Sequence, residues 1–591
     1  MKKLIRLWKE HWSRFFSLFR KETLFWSSGA AFAVGLLAGY ANVIFRYALK
    51  FSHWFFWEIL AAHLGAYHDG VYHPNLFLPL IPVLGAVLLV AFSKLCKDEI
   101  LGYGFPRFLE NVNFGGANLR KRSIAFKTIA SAITIGSGGS TGYEGPVAQV
   151  GGAVGFAIGQ FTKIQPGQMK IWIAAGSAGA IAAIFNAPIA GVLFAQEIIL
   201  LGDFTLNTLT LTIISAGTSV VVSRNYFGHQ PLFQIPIYES FNLLGLPLFA
   251  LMGIAIGVLA ALYIVIFHFT KERFDQWAVR TEIKPIVGAF MVGLIAFYLP
   301  AIFGEGHHSI SEALFGNISL QTALALLFAK MAASSVTVGS GNSGGIFGPL
   351  LFMGAMAGSA FGTCAGNIFP HWAEARGLYA LVGMGAFLAA VTHAPLTAIF
   401  LIFEITDNHE VVLAAFFCTM IATTVARALI SSSIDSLELE RRGFNLHGGF
   451  ELNAMNKVQV KDVMRTKMIS VHEKTTLGEL VKKLDTTDQT CFPVVDAHHH
   501  YVGIISLSAL RQVMFDTDAW KLIIVHEMIS EDVPAIGINE TVIDAIRKFA
   551  TTGLSELAVV DRKNGNHLAG LLRHADIINA YHKEVLLTHT H

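Results

Sequence analysis

The sequence is poor in charge. Asp, Glu, Lys and Arg make up 14% of its 591 residues, against about 25% in an average globular chain. The shortfall is concentrated: none of the four occurs in residues 23–45, 74–93, 171–196, 240–270, 285–304, 378–403 or 411–426. Crossing a hydrocarbon core takes about 20 apolar residues, so these are expected membrane spans, the last of them short enough to need tilt or shielding. Cysteine is scarce as well. Cys96, Cys364, Cys418 and Cys491 show neither disulfide nor metal spacing and read as small apolar residues. A net charge of +2 is too small to imply a nucleic-acid partner. No cleavable signal peptide is apparent. Residues 1–22 alternate basic residues with Leu, Trp and Phe and are expected to form an amphipathic helix on the cytoplasmic surface.

What the chain does have is internal repetition. Residues 136–146 read GSGGSTGYEGP and residues 339–349 read GSGNSGGIFGP, with seven of eleven letters in common. Gly304-Glu305-Gly306 answers Gly102-Tyr103-Gly104, Lys330 answers Lys127, and AAVTHAPLTAIFLIFEI (389–405) answers AAIFNAPIAGVLFAQEI (182–198). Four blocks in the same order at offsets of 202 to 207 residues mark a duplication, and repeats with broken helices meeting at the midplane are a common transporter design. Loop charges do not show whether the repeat is inverted. A Gly-rich turn closed by Pro presents backbone N–H groups at a helix start, where an anion is favoured. Glu144 is the one ionisable side chain in either copy, and an ionisable residue within a membrane span is a functional candidate by default.

From Val458 the composition becomes charged and soluble. CFPVVD (491–496) and ELAVVD (556–561) each precede a Gly-led apolar strand, so this part is a pair of strand–helix modules of similar length. The expected boundaries are 1–22 for the amphipathic helix, 23–445 for the membrane domain with repeats of about 23–230 and 231–445, 446–457 for a linker, 458–584 for the paired modules and 585–591 for a disordered tail.

These residues resemble the CLC family of chloride channels and chloride/proton antiporters, whose anion-site signatures run roughly GSGIP, GREGP and GxFxP. Here they stand as Gly102-Tyr103-Gly104-Phe105-Pro106, Gly142-Tyr143-Glu144-Gly145-Pro146 and Gly345-Ile346-Phe347-Gly348-Pro349. The tail resembles a CBS-domain pair. The resemblance implies an α-helical polytopic membrane protein, internally duplicated with broken helices, followed by a cytoplasmic α/β CBS pair. It implies a homodimer in a bacterial inner membrane, both termini cytoplasmic, carrying chloride and not acting as an enzyme. Residues of the three signatures would hold the anion, with Glu144 as a gate that leaves the anion path when protonated.

Three departures qualify this. Tyr103 replaces the family's serine, and Asp435 falls where the inner tyrosine is expected, so Tyr103 is expected to supply the inner hydroxyl and Asp435 to point towards water. Ile198 occupies the internal proton-acceptor position, which favours uncoupled or weakly proton-coupled conduction over full exchange, with Asp203 or Glu197 as substitute proton carriers. Glu197 and its twin Glu404 are expected to be structural carboxylates at helix ends. In the CBS pair each half of the nucleotide-binding step is incomplete, leaving Ser506 and Asp576 as candidate contacts for an adenine nucleotide; no other cofactor and no metal is implied. The alternative from another class, a CBS-regulated cation transporter of the magnesium type, predicts carboxylates along the pore, which the spans lack. GNSGG (341–345) looks like a serine-protease loop, but its twin GGSTG (138–142) assigns it to the repeat.

Overall fold

The computed structural model describes residues 24–579 apart from 69, 97–100, 121, 165, 230–232, 234, 237–242, 407–408, 445–457, 485–486, 512, 514, 516–518 and 530–534. The expected helix 1–22, the linker 446–457 and the tail 585–591 lie outside the described residues. The chain divides into two compact units, Met1–Gly443 and Phe444–His591.

The first unit is helical. Its first half runs through α1 (Leu24–His53), α2 (Leu80–Cys96), α3 (Phe105–Asn113), α4 (Ser123–Gly136), α5 (Glu144–Phe161), α6 (Met169–Phe185), α7 (Pro188–Phe194) and α8 (Leu206–Phe227). A small antiparallel pair, β1 (Tyr67–His68) and β2 (Val71–Tyr72), lies between α1 and α2. The second half repeats the series as α9 (Leu246–Gln276), α10 (Ile283–Tyr298), α11 (His307–Leu314), α12 (Leu320–Gly339), α13 (Phe347–Ile368), α14 (Arg376–Thr392), α15 (Pro395–Thr406) and α16 (His409–Leu429), before the short α17 (Ser436–Arg441). The packing repeats with the order. α5 packs on α6, α6 on α8 and α8 on α1, while α13 packs on α14, α14 on α16 and α16 on α9. Among the described residues, five helical segments are long and apolar enough to cross a membrane, and seven shorter apolar helices accompany them.

Two of the uncharged stretches are not single spans. Residues 171–196 break at Asn186 and residues 378–403 at His393, each with φ 57° and ψ 31°. A left-handed residue ends the first helix, and a proline two residues further on (Pro188, Pro395) opens the next. Equivalent arginines hold both breaks: Arg224 Nε donates to Asn186 Oδ1 at 2.7 Å and Arg427 to the His393 carbonyl at 2.9 Å. The short stretch 411–426 lies within α16, which adds residues at both ends and is partly shielded by its neighbours.

The second unit holds two three-stranded sheets of the same design. In one, β3 (Val471–His472) runs parallel to β4 (Cys491–Val495), which pairs antiparallel with β5 (Tyr501–Ser506). In the other, β6 (Ile536–Gly537), β7 (Glu556–Asp561) and β8 (His567–Arg573) do the same. β4 and β7 are buried over almost their whole length, so they read as continuous apolar runs rather than alternating ones.

Candidate functional site

The two signature loops meet. Gly142 N–H donates to the Gly345 carbonyl at 2.8 Å and Gly345 N–H donates to the Gly142 carbonyl at 2.7 Å. This reciprocal antiparallel bridge between equivalent residues puts a local two-fold axis between the halves, so the chain directions entering α5 and α13 are opposed. The repeat is therefore inverted at this point, which loop charges alone left open. A side chain has no room here: a Cβ on Gly345 would lie 2.9 Å from the Gly145 nitrogen. The first signature joins the pair through Gly102 N–H, which donates to the Gly341 carbonyl at 2.7 Å.

Glu144 opens α5 and is buried. Its Oε2 accepts from Gly348 N–H at 3.1 Å, in the first turn of α13. The carboxylate of one half thus sits on the helix start of the other, where backbone donors and the helix dipole favour negative charge.

Glu305 stands beside it and sequence reasoning passed over it. Its Oε1 accepts from Tyr143 N–H at 3.0 Å and its Oε2 lies 2.6 Å from His307 Nε2. A Cβ on Gly348 would lie 3.2 Å from both Glu144 Oε1 and Glu305 Cγ, so the two carboxylates flank that glycine. The available signal was its place as the twin of Tyr103. Lys330, twin of Lys127, is fully buried beneath this site, with Nζ donating to the carbonyls of Ile302 at 2.9 Å and Gly304 at 2.6 Å.

At the other end of the site, Tyr103 and Asp435 are both buried and the Tyr103 hydroxyl donates to Asp435 Oδ1. Asp435 therefore does not point towards water. The tyrosine hydroxyl satisfies it inside the protein, as a buried carboxylate requires. Between Tyr103 and Phe347 runs a series of rings: Tyr103 to Phe105 at 6.4 Å, Phe105 to Phe194 at 6.3 Å, and Phe194 to Phe347 at 5.4 Å. Phe105 and Pro106 start α3, as Ile346 precedes and Phe347 and Pro349 start α13, so all three signatures converge as helix starts.

Ile198 is buried in the π-type turn that ends α7. Glu197 and Glu404 are committed to helix starts. Glu197 accepts from Leu396 N–H at 3.0 Å and from the Thr397 N–H and hydroxyl at 2.7 Å, while Glu404 accepts from Ile189 N–H at 2.8 Å and Ala190 N–H at 2.7 Å. Each half caps the other's short helix. Asp203 is paired with Lys170 at 2.7 Å.

Two cavities flank the site. One of about 860 Å³ includes Arg46, Lys50, Tyr143, Glu305 and His307 in its wall. The other, of about 970 Å³, is walled by Tyr103, Arg107, Arg120, Arg122, Lys127, Lys271 and Arg442, with Asp275 and Glu438 as its acids. Helix α4 runs from one to the other, with Lys127 in the second and Ile135 in the first.

In the second unit, Ser506 Oγ accepts from Ala509 N–H at 3.3 Å and lies 2.7 Å from Ser508 Oγ. Asp576 takes two bonds from Arg465, at 2.8 and 2.9 Å. Both candidate nucleotide contacts thus have protein partners. Among the described residues no group of three or more metal-ligating side chains occurs.

An inverted helical repeat, helix starts converging on one point and basic and apolar cavities on either side define a membrane transport protein rather than an enzyme. The model of the voltage gated chloride channel family matches residues 84–427, and that of the CBS domain matches 460–516 and 525–583. The chain belongs to the CLC family of voltage gated chloride channels and carries two CBS domains. It is similar to the H(+)/Cl(-) exchange transporter ClcA of Vibrio parahaemolyticus, with 30% identity over 418 residues, 69% of this chain and 88% of the relative. Among solved structures it is similar to a slow cyanobacterial Cl-/H+ antiporter (TM-score 0.64, 25% identity, 70% of this chain and 97% of that one). A eukaryotic CLC transporter shares the fold over 94% of this chain and 98% of its own (TM-score 0.59, 19% identity).

Proposed function

We propose that this protein carries chloride across a bacterial inner membrane, with Glu144 as a protonatable gate and weak proton coupling. The observation that carries the reading is the bond from Gly348 N–H to Glu144. An ionised Glu144 fills the place that an anion would take at the start of α13, and protonation removes the charge that holds it there. Residues of the three signatures, from Gly102 to Pro106, Gly142 to Pro146 and Gly345 to Pro349, line the path. With both termini cytoplasmic, the cavity beside Glu305 faces outward and the one beside Tyr103 inward. The surplus of arginine and lysine in the inner cavity draws anions and disfavours a cation.

Weak coupling follows from Ile198 at the acceptor position and from the structural commitment of Glu197 and Asp203. The second reading, full chloride/proton exchange, is favoured by the exchange transporters among its relatives. Liposomes loaded with chloride decide between them when chloride and proton movement are recorded together. Chloride efflux with little proton counterflow is expected; stoichiometric counterflow establishes exchange, and no chloride efflux overturns the function.

The protein is read as a homodimer with one pore per subunit, regulated by its CBS pair. For an adenine nucleotide to use Asp576, it must displace Arg465. Calorimetric titration of the full chain with AMP tests this.

A further inference from the structure

The carboxylates that could stand in for the one missing at position 198 differ in what they are bonded to. Glu438 is paired with both Lys271 and Arg442, Asp203 with Lys170, and Glu197 with a helix start. Asp435 is buried, and among the described residues no cation lies within ion-pair distance of it. It precedes α17 yet does not cap it: the Ser436 N–H is taken by Ser433 Oγ at 3.2 Å. Its carboxylate instead accepts the hydroxyl of Tyr103, which lines the inner cavity.

We propose that Asp435 and Tyr103 form the inner proton-exchange site of this protein, where a proton and an anion bind together, in place of the carboxylate that Ile198 replaces. The proposal rests on the chloride-transport reading and deepens it: the pair supplies the weak proton coupling that remains without a carboxylate at position 198. A buried carboxylate without a cation sheds its charge by taking up a proton. A hydronium ion in the inner cavity gives a proton to the Tyr103 oxygen, leaving water, as Tyr103 passes its own to Asp435 Oδ1. One proton moves from solvent to carboxylate and the phenol ends neutral. Protonated Asp435 no longer repels an anion and no longer needs the hydroxyl, so Tyr103 O–H becomes free to donate to the anion. From there the rings of Phe105, Phe194 and Phe347 lead to Gly348 and Glu144.

Other groups face Asp435 from each element around it. Tyr263 on α9 is held by Ser334 at 3.0 Å, and His268 on α9 lies 3.0 Å from the Ile434 carbonyl. Lys271 on α9 is bound to Glu438 on α17. Lys271 and Glu438, of opposite charge, both act on Asp435 through space.

The test is chloride affinity by calorimetry on the purified full chain in the Glu144→Gln background, which silences the outer carboxylate. Affinity is expected to rise about tenfold from pH 8 to pH 5, a coupling of ordinary size, and adding Asp435→Asn is expected to flatten that dependence. Asp435→Glu should keep a titrating response, and Tyr103→Phe should weaken chloride binding at low pH more than at high pH. A pH dependence as steep with Asp435→Asn as without it overturns this proposal and leaves chloride transport standing. No chloride binding in the unsubstituted chain overturns both. Should Asp435→Asn fail to fold, Tyr103→Phe decides: an unaltered pH dependence overturns the proposal.

Discussion

Gly142 and Gly345 hold the same place in the two halves of the chain and exchange backbone hydrogen bonds in both directions. A single point on the symmetry axis therefore sets the spacing between α5 and α13, and with it the distance from Glu144 to Gly348. The contact has little slack, because a Cβ on Gly345 would meet the Gly145 nitrogen at 2.9 Å. Gly345→Ala is expected to push the two helix starts apart and reduce chloride flux about tenfold or more, since small displacements at a binding site are costly. Flux from liposomes at equal protein content measures it, and wild-type flux would show that the site tolerates the shift.

Glu144→Gln removes the charge that competes for Gly348 N–H and keeps the side chain's size. Chloride flux in this variant is expected to be independent of external pH, whereas in the parent it rises as pH falls. The comparison across external pH 5 to 8 at fixed internal pH reads this directly, and a residual slope would identify Glu305 or His307 as a second external group.

Glu197 and Glu404 cap each other's helices across the axis. Charge-assisted bonds contribute about 1.5–3 kcal/mol, so Glu197→Ala or Glu404→Ala should each lower the unfolding temperature in detergent. Proton movement should respond to neither substitution beyond its effect on chloride flux. A change in the proton-to-chloride ratio for Glu197→Ala would instead make it a proton carrier.

In the CBS unit Arg573 donates to both oxygens of Asp488 at 2.9 Å and holds that carboxyl down to about 2. Its folded-state value is depressed, so the pair's stabilisation is fully present above the unfolded value of about 4 and fades as pH falls through the folded value. The melting difference between the parent and Asp488→Asn should be constant from neutral pH to about pH 4 and shrink below it. Scanning calorimetry checks this, and a difference that grows on acidification would reverse the sign assigned to the pair.

The opposed roles of Tyr103 and Glu305 show where sequence reasoning stops. They are twins by position, 202 residues apart, yet one donates to a buried acid and the other is itself the buried acid beside Glu144. The sequence by itself determined the membrane character, the duplication, the three signatures and Glu144, because charge scarcity, repeats and Gly-Pro helix starts are local properties of the chain. Tertiary structure alone decided that the repeat is inverted, that residues 171–196 and 378–403 are broken, that Asp435 turns inward to Tyr103, and that Glu305 joins the site. The breaks are held by arginines 38 and 34 residues away, and the inversion and the Asp435 and Glu305 contacts depend on which groups meet across some 160 to 330 residues of sequence; periodicity and composition carry no information about such pairings.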